Sequence, residues 1–367
     1  MSRNLVCHIT TVHLPNDVRI FHKECKTLRR EGYEVSLIVP QSGERDADGI
    51  KVVGLPETAG RWKRFFVLPS LAFRKAQEVA ADLYHIHDPE LIPLGARLKK
   101  SGRVVVFDIH EDIGQQMLSK SYIPGIIRPL ASFCYGVYER RTLRKFDGLV
   151  CATNHIWEKY RRLNMNTITV NNYPIIEEFG QANSWDKRED GVAYIGNMTR
   201  IRGIYEMVNA VENLEVTLHL AGEFENDRMR AELERMPGWK KVRYHGKLNR
   251  QEIVRLLNRV KIGLVVIWPE PNYVNAQSTK MYEYMIAGIP VIASDFPLWR
   301  SYVDSINCGL CVEPKDAQRL AAAIESLMKD QKKAEEMGRN GRRAIERDAN
   351  WDNEGKKLAA LYRDLLS

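Results

Sequence analysis

Short apolar runs alternate with amphipathic segments along the whole chain. "LVCHITTV" (5–12) is apolar enough for a buried strand. In "DVRIFHKECKTLRREG" (17–32), Ile20, Phe21 and Leu28 share one helical face and Gly32 supplies the stop. "YEVSLIVP" (33–40) predicts the next strand. Strand, helix, strand at this spacing is a βαβ unit, so the sheet is expected to be parallel and buried. "DLYHIHD" (82–88), "VVVFDIHED" (104–112) and "GLVCATN" (148–154) continue the series. The segment 120–145 reads as helical, interrupted by Pro124 and Pro129.

The pattern then lapses. "NNYPIIEEFGQANSWDKREDG" (171–191) has little periodicity and is rich in Pro, Gly, Asn and charge, which predicts a linker. A second series follows: strands at 192–197, 216–222, 242–246, 262–268, 290–295 and 309–314, with helices near 203–212, 249–259, 279–287 and 316–329. The tail 350–367 is one more amphipathic helix. Each half therefore predicts a doubly wound α/β domain, residues 1–172 and 173–349. Such sheets bind ligands beyond the carboxyl ends of their strands. The polar residues expected there are His13, Asp88, His110-Glu111-Asp112, Gly196-Asn197, Gly222-Glu223 and Asp295.

A length of 367 residues suits two domains, and the 44% hydrophobic content is ordinary for a soluble protein. No apolar run is long enough to cross a bilayer, and "MSRNLVCHITTVHLPN" lacks the plan of a signal peptide, so a cytosolic protein is expected. Net charge is +8, concentrated with aromatics in "RWKRFFVLPSLAFRK" (61–75) and "YERRTLRKF" (138–146). Two solvated helix faces would account for this; so would an anionic membrane surface, the better of the functional readings. No nucleic-acid-binding module is present. Cys308 and Cys311 form a lone C-x-x-C without a second pair to complete a zinc site, and they read as ordinary thiols in a buried strand.

Three stretches carry candidate chemistry. "YIGNMTRIRG" (194–203) runs off a strand into a helix; Gly196 permits a tight turn, and Arg200 and Arg202 add charge suited to phosphate. A plain βα turn with surface arginines is the competing reading. In "STKMYEYMIAGIPVIASD" (278–295), Ser278 or Thr279 is expected to cap a helix that ends at Gly288. Lys280 lies in the first turn, where the helix dipole disfavours a cation, and Glu283 follows on the same face. They are either a surface ion pair, or a lysine on phosphate beside a carboxylate that accepts two hydroxyl protons. "FDIHED" (107–112) ends a buried strand with His110 flanked by acids. The absence of G-x-G-x-x-G after the first strand and of G-x-x-x-x-G-K-[ST] argues against a nicotinamide dehydrogenase or a P-loop nucleotidase.

Together these stretches resemble the retaining glycosyltransferases of family 4, with the GT-B fold: two facing doubly wound Rossmann-like domains and a cleft between them. "TVHLPNDVRIFHKECKTLRREGYEVSLIV", "HIHDPELIPLG" and "FDIHED" resemble the bacterial branch that builds capsular, O-antigen and exopolysaccharide chains. The resemblance makes 1–172 the acceptor-side domain, 173–349 the nucleotide-sugar domain, and 350–367 a helix crossing back to the first. It implies that Arg202 contacts the donor diphosphate, Lys280 the distal phosphate and Glu283 the ribose hydroxyls. His110 would reach the donor sugar, and Gln277, Ser278 and Thr279 would cradle phosphate and sugar. Gly196, Asn197 and Arg200 would form the donor turn, and Asp88 and Glu111 would face acceptor or donor sugar.

Three departures stand out. Asn275 occupies the place of the first glutamate of E-x7-E. Asn197 stands where an arginine is usual. "HLPNDVRIF" replaces paired glycines, so Asp17 and Arg19 are expected to take over contacts there. The resemblance implies transfer from a UDP- or GDP-sugar to a lipid-linked (polyprenyl-diphosphate) saccharide at the cytoplasmic membrane face, with no metal or cofactor. A sugar-nucleotide epimerase and a non-catalytic nucleotide-sugar-binding protein remain alternatives.

Overall fold

The computed structural model describes residues 4–56, 63–114, 117, 126–276 and 278–367. The chain divides into two compact units, residues 1–172 with 351–367, and residues 173–350.

The first unit is built on strands β1 (Leu5–Ile9), β2 (Glu34–Pro40), β3 (Glu44–Ala47), β4 (Ile50–Leu55), β5 (Leu83–Ile86), β6 (Val104–Ile109), β7 (Gly148–Cys151) and β8 (Thr167–Thr169). Their order in the sheet is β3-β4-β2-β1-β5-β6-β7-β8, parallel except for the β3–β4 hairpin. That hairpin escapes the apolar-run reading because β3 is all but polar, yet "DADGI" carries its turn signal. Asp48 and Gly49 both sit at positive φ, 54° and 75°, as a two-residue hairpin turn requires. The first helix has its apolar face as expected, with Ile20, Phe21 and Leu28 buried, but its opening stretch Val18–Cys25 is a π-helix. Asp17 caps it, accepting from the Arg19 and Ile20 amides at 2.9 Å. The expected break in 120–145 is a helix start: helix Arg128–Leu143 begins with Pro129 in its first turn, where no amide is needed. Pro124 lies outside the described residues. The C-terminal helix Trp351–Leu366 packs within this unit, Trp351 donating to Thr27 Oγ1 at 2.8 Å.

The second unit holds β9 (Gly191–Ile195), β10 (Thr217–Ala221), β11 (Val242–Tyr244), β12 (Ile262–Val265), β13 (Val291–Ser294) and β14 (Gly309–Val312). All six are parallel, in the order β11-β10-β9-β12-β13-β14. Numbered within the unit this is 3-2-1-4-5-6, the doubly wound order whose switch point lies between its first and fourth strands, β9 and β12. Val192, Tyr194, Leu218, Leu220, Leu264 and Ile292 are buried between the helical layers. Cys308 is buried just before β14 and Cys311 half-buried within it; both are free thiols, pushed up to about 12 by burial. Burial thus disfavours the thiolate form of both.

Candidate functional site

The loops leaving β9 and β12 meet at the switch point of the second sheet. Gly196 follows β9 at φ 115° and donates its amide to Ala221 O at 2.7 Å. A Cβ on it would stand 2.6 Å from Lys280 Cε, so only glycine lets the lysine lie against this turn. Arg200–Arg202 form a single 3-10 turn, closed by Gly203 at φ 70°. A Cβ at Gly203 would be 2.0 Å from Val266 O, which shows how closely the two loops approach. Trp268 N donates to Ile201 O at 2.8 Å, and Ser294 Oγ binds Ile267 at 2.7 Å. These contacts tie the floor of the edge together.

Lys280 and Arg202 stand on this floor. Lys280 Nζ lies 5.5 Å above the Tyr194 ring, and the Arg202 guanidinium 5.5 Å above the Tyr273 ring. Neither has a carboxylate partner among the described residues. Burial, then the charge of Arg202, pull the Lys280 ammonium down to about 7; Glu283 opposes this. Tyr194 is pushed up to about 12 by burial, with Arg202 working against it. Two neighbouring cations that repel each other, without a carboxylate against them among the described residues, constitute a site short of negative charge.

The surface ion pair Lys280–Glu283, one of the two readings of this stretch, is not formed. Glu283 Oε1 is bound by Arg250, which also holds Glu178 at 2.5 Å. Arg250 sits at the start of helix Arg250–Leu257, and nothing in its sequence surroundings links it to Glu283. The half-buried Glu283 keeps Oε2 without a partner among the described residues. Ser278 takes the N-cap position of helix Thr279–Ile286 but makes no side-chain cap bond, which corrects the expected role of its hydroxyl; Thr279 is exposed. Gln277 lies outside the described residues. Asn197 and Asn275 are exposed, Asn197 offering its carbonyl to the Tyr194 hydroxyl at 2.8 Å. Arg200 turns away, stacked 4.6 Å over Tyr205.

In the first unit the sheet edge is far more buried than its charges suggest. Arg19 was expected to reach ligand; instead it is 4% exposed and locked inside. Its guanidinium takes both Asp108 oxygens at 2.8 and 2.9 Å and Val170 O at 2.9 Å. Burial would raise the Asp108 carboxyl, but Arg19 and then His110 hold it well below the usual range. Asp88, expected on the sugar side, is also buried, and accepts from Thr10 Oγ1 at 2.8 Å and Thr11 N at 2.6 Å to shape the loop after β1. Asp17 spends one oxygen on its helix cap and the other on His13 Nδ1, 3.1 Å away; against burial, these bonds lower it to about 2. His13, noted above only for its place at a strand end, lies 5.5 Å from the His110 ring. Burial opposes its charge, but Asp17 and Asp88 raise it overall. His110 remains partly exposed with Nε2 3.1 Å from Asp108, and Glu111 is exposed. Sequence reasoning could place His110 at the edge but not Arg19 beneath it.

Residues 175–344 match the model of glycosyl transferases group 1, and residues 18–172 that of the glycosyl transferase 4-like domain. A glycogen synthase from Mycobacterium tuberculosis is 23% identical over 175 residues, 46% of this chain and 41% of that protein. The chain thus spans about two fifths of the length of this curated relative. A sucrose-phosphate synthase structure from Thermosynechococcus elongatus superposes with TM-score 0.79 at 20% identity, over 99% of both chains. The Anabaena protein HepE, solved with UDP and glucose, gives 0.74 at 14% identity over 99% of this chain and 100% of that one. These likenesses establish the GT-B fold, and the two family models an assignment to the glycosyltransferases.

Proposed function

We propose that this chain, a glycosyl transferase 4-like domain followed by a glycosyl transferases group 1 domain, moves a sugar from a nucleoside-diphosphate donor to a hydroxyl with retained anomeric configuration. The observation that carries the reading is the pair Lys280 and Arg202, without carboxylate partners, at the switch point of the second sheet. Cations held in a partly dry site, already repelling one another, gain most from a dianionic ligand.

In the reaction the bond between the anomeric carbon and the diphosphate oxygen breaks, and the acceptor oxygen forms the new bond on the same face. The acceptor's proton passes to a phosphate oxygen of the departing diphosphate. Lys280 and Arg202 stabilise that leaving charge, and no metal is invoked for it. Glu283 Oε2 accepts from ribose hydroxyls while Arg250 fixes the carboxylate's direction. Asn275 can orient sugar hydroxyls but, being neutral, adds no charge to an oxocarbenium-like state. From the first unit, His110 is assigned to the donor sugar, its ring set by Asp108 and His13. Uridine is the first nucleotide to try, because the Anabaena neighbour was solved with UDP.

A transfer assay tests this. UDP- and GDP-sugars incubated with a panel of saccharide hydroxyls are expected to give nucleoside diphosphate only when acceptor is present. Product formed from donor alone would favour an epimerase, and donor binding without turnover on any acceptor a binding protein.

The acceptor is proposed to be lipid-linked, with the first unit resting on an anionic membrane surface during surface-polysaccharide synthesis. Helix Arg128–Leu143 supports this: over 16 residues it buries only Glu139 and Leu143. It exposes Leu130 and Phe133, Ile126 is exposed just before it, and Arg140, Arg141 and Arg144 follow exposed about two to three turns further along. Exposed apolar side chains with arginines on the same element suit an interface better than bulk water. Phe65 and Val67 in the other basic stretch are exposed as well; Trp62 lies outside the described residues. No described helix is long and apolar enough to cross a membrane. The protein is expected to float with anionic vesicles at low salt, to lose most of this binding at high salt, and to bind less as Leu130→Glu/Phe133→Glu. Equal partitioning of variant and wild type would remove this helix from the membrane contact.

A further inference from the structure

Four metal-ligating side chains converge inside the first unit, none of them used by the reaction above. His8 comes from β1, His85 from β5, His87 from just beyond it, and Glu24 from the first helix; all four side chains are fully buried. Glu24 Oε2 lies 3.6 Å from His8 Nδ1, 3.9 Å from His85 Nδ1 and 3.8 Å from His87 Nε2. These separations are too long for hydrogen bonds; Oε1 faces Arg19 Nε at 3.1 Å, and Oε2 has no hydrogen-bond partner among the described residues. Buried carboxylate oxygens rarely go unsatisfied without a reason.

The spacing supplies one. A tetrahedral zinc ion with ligands at about 2.0–2.1 Å separates them by roughly 3.3–3.4 Å. The carboxylate–imidazole separations, 3.6 to 3.9 Å, exceed this by a few tenths, and the 2.9 Å between His8 Nδ1 and His87 Nε2 falls short by a similar amount. Small ring rotations in opposite senses would bring these separations to the tetrahedral value, and the four ligand atoms all lie within 4.8 Å of one another. We propose that His8, Glu24, His85 and His87 form a closed structural site for a divalent transition metal of the zinc type.

The ligand set, three imidazoles and one carboxylate, suits zinc or cobalt rather than magnesium or calcium. A site with four protein ligands and no access for substrate is structural, tying β1, β5 and the first helix together. A second grouping, His87 with Asp108 and His110, is less suited, because Arg19 already occupies both Asp108 oxygens. Arg19 Nε also lies 3.1 Å from Glu24 Oε1, leaving Oε2 for the ion. The Tyr362 hydroxyl, 2.8 Å from His85 Nδ1 and 3.3 Å from His8 Nε2, would give up the first contact to the metal and keep the second, orienting His8.

Protein without a metal-affinity tag, produced in zinc-supplemented medium and desalted, should retain about one zinc per chain by mass spectrometry. Substitution with cobalt(II) should give the intense visible absorption of a tetrahedral site. Glu24→Gln, which keeps the volume and removes the charge, should lower cobalt affinity at least tenfold, with circular dichroism confirming the fold. Wild-type protein that holds well under one ion per chain and shows no tetrahedral cobalt spectrum would overturn the proposal, whatever the variant does. So would a folded Glu24→Gln protein with undiminished affinity.

Discussion

Lys280→Met should make the unliganded protein more stable and the liganded one weaker. Lys280 is carried from its ordinary 10.5 down to about 7 by burial and by Arg202. At neutral pH the unfolded chain therefore binds this proton more strongly than the folded one, and the group destabilises the fold. The cost is largest below pH 7, shrinks as pH rises, and is gone above 10.5, so wild-type stability should climb across that window. At about 1.4 kcal/mol per pKa unit, discounted for partial exposure, methionine should add on the order of 2–4 kcal/mol near pH 7. That corresponds to several degrees in Tm. The same change removes a charge-assisted contact to phosphate, worth roughly 1.5–3 kcal/mol, and should weaken nucleoside-diphosphate binding about 10- to 100-fold. A variant neither more stable nor weaker in binding would mean that Lys280 is a solvated surface lysine. Few side chains outside a binding site give effects of opposite sign in this way.

The largest loss of stability is expected from Arg19→Met. The side chain fits the space, but Asp108 and Glu24 are left buried without their cation. Breaking a buried pair from one side costs about 3–5 kcal/mol. Asp108→Leu added to Arg19→Met should restore part of this, since the uncompensated charge goes with it. Denaturant unfolding measures both. Arg45→Met, at an exposed arginine, should change stability by no more than about 0.5 kcal/mol. An Arg19→Met protein as stable as that control would contradict the buried network.

These two residues also mark what the sequence makes legible. Apolar runs locate eleven of the fourteen strands; β3 and the short β8 carry too few apolar residues to register, and β4 goes unread with its hairpin partner β3. Helix Gln331–Arg347 goes unread for a related reason. Its packed face is Ala334, Met337, Gly338, Gly341 and Ile345, in helical register but with only two large apolar residues in seventeen positions. A Cβ at Gly338 would lie 2.1 Å from Gly288 O. In the candidate site, Gly196, Arg202 and Lys280 could be found because each breaks a local rule at a strand or helix end. Arg250 could not, since its link to Glu283 crosses 33 positions and depends on tertiary packing. Arg19, Glu24 and Asp88 were legible as charges but not as buried ones. Burial is decided by what packs over a residue, and a charge in an amphipathic helix looks the same from sequence whether it faces water or another charge.

The nucleotide site itself is tested most directly by calorimetric titration of UDP, GDP and ADP, with their monophosphates, in two buffers of different ionisation enthalpy. One diphosphate is expected to bind once per chain, at least tenfold tighter than its monophosphate. Binding near pH 7.5 should draw in a proton, because phosphate restores the charge on Lys280, and this uptake should vanish in Lys280→Met. Mono- and diphosphates binding alike, with no proton uptake and no effect of the substitution, would contradict a donor site at Lys280 and Arg202.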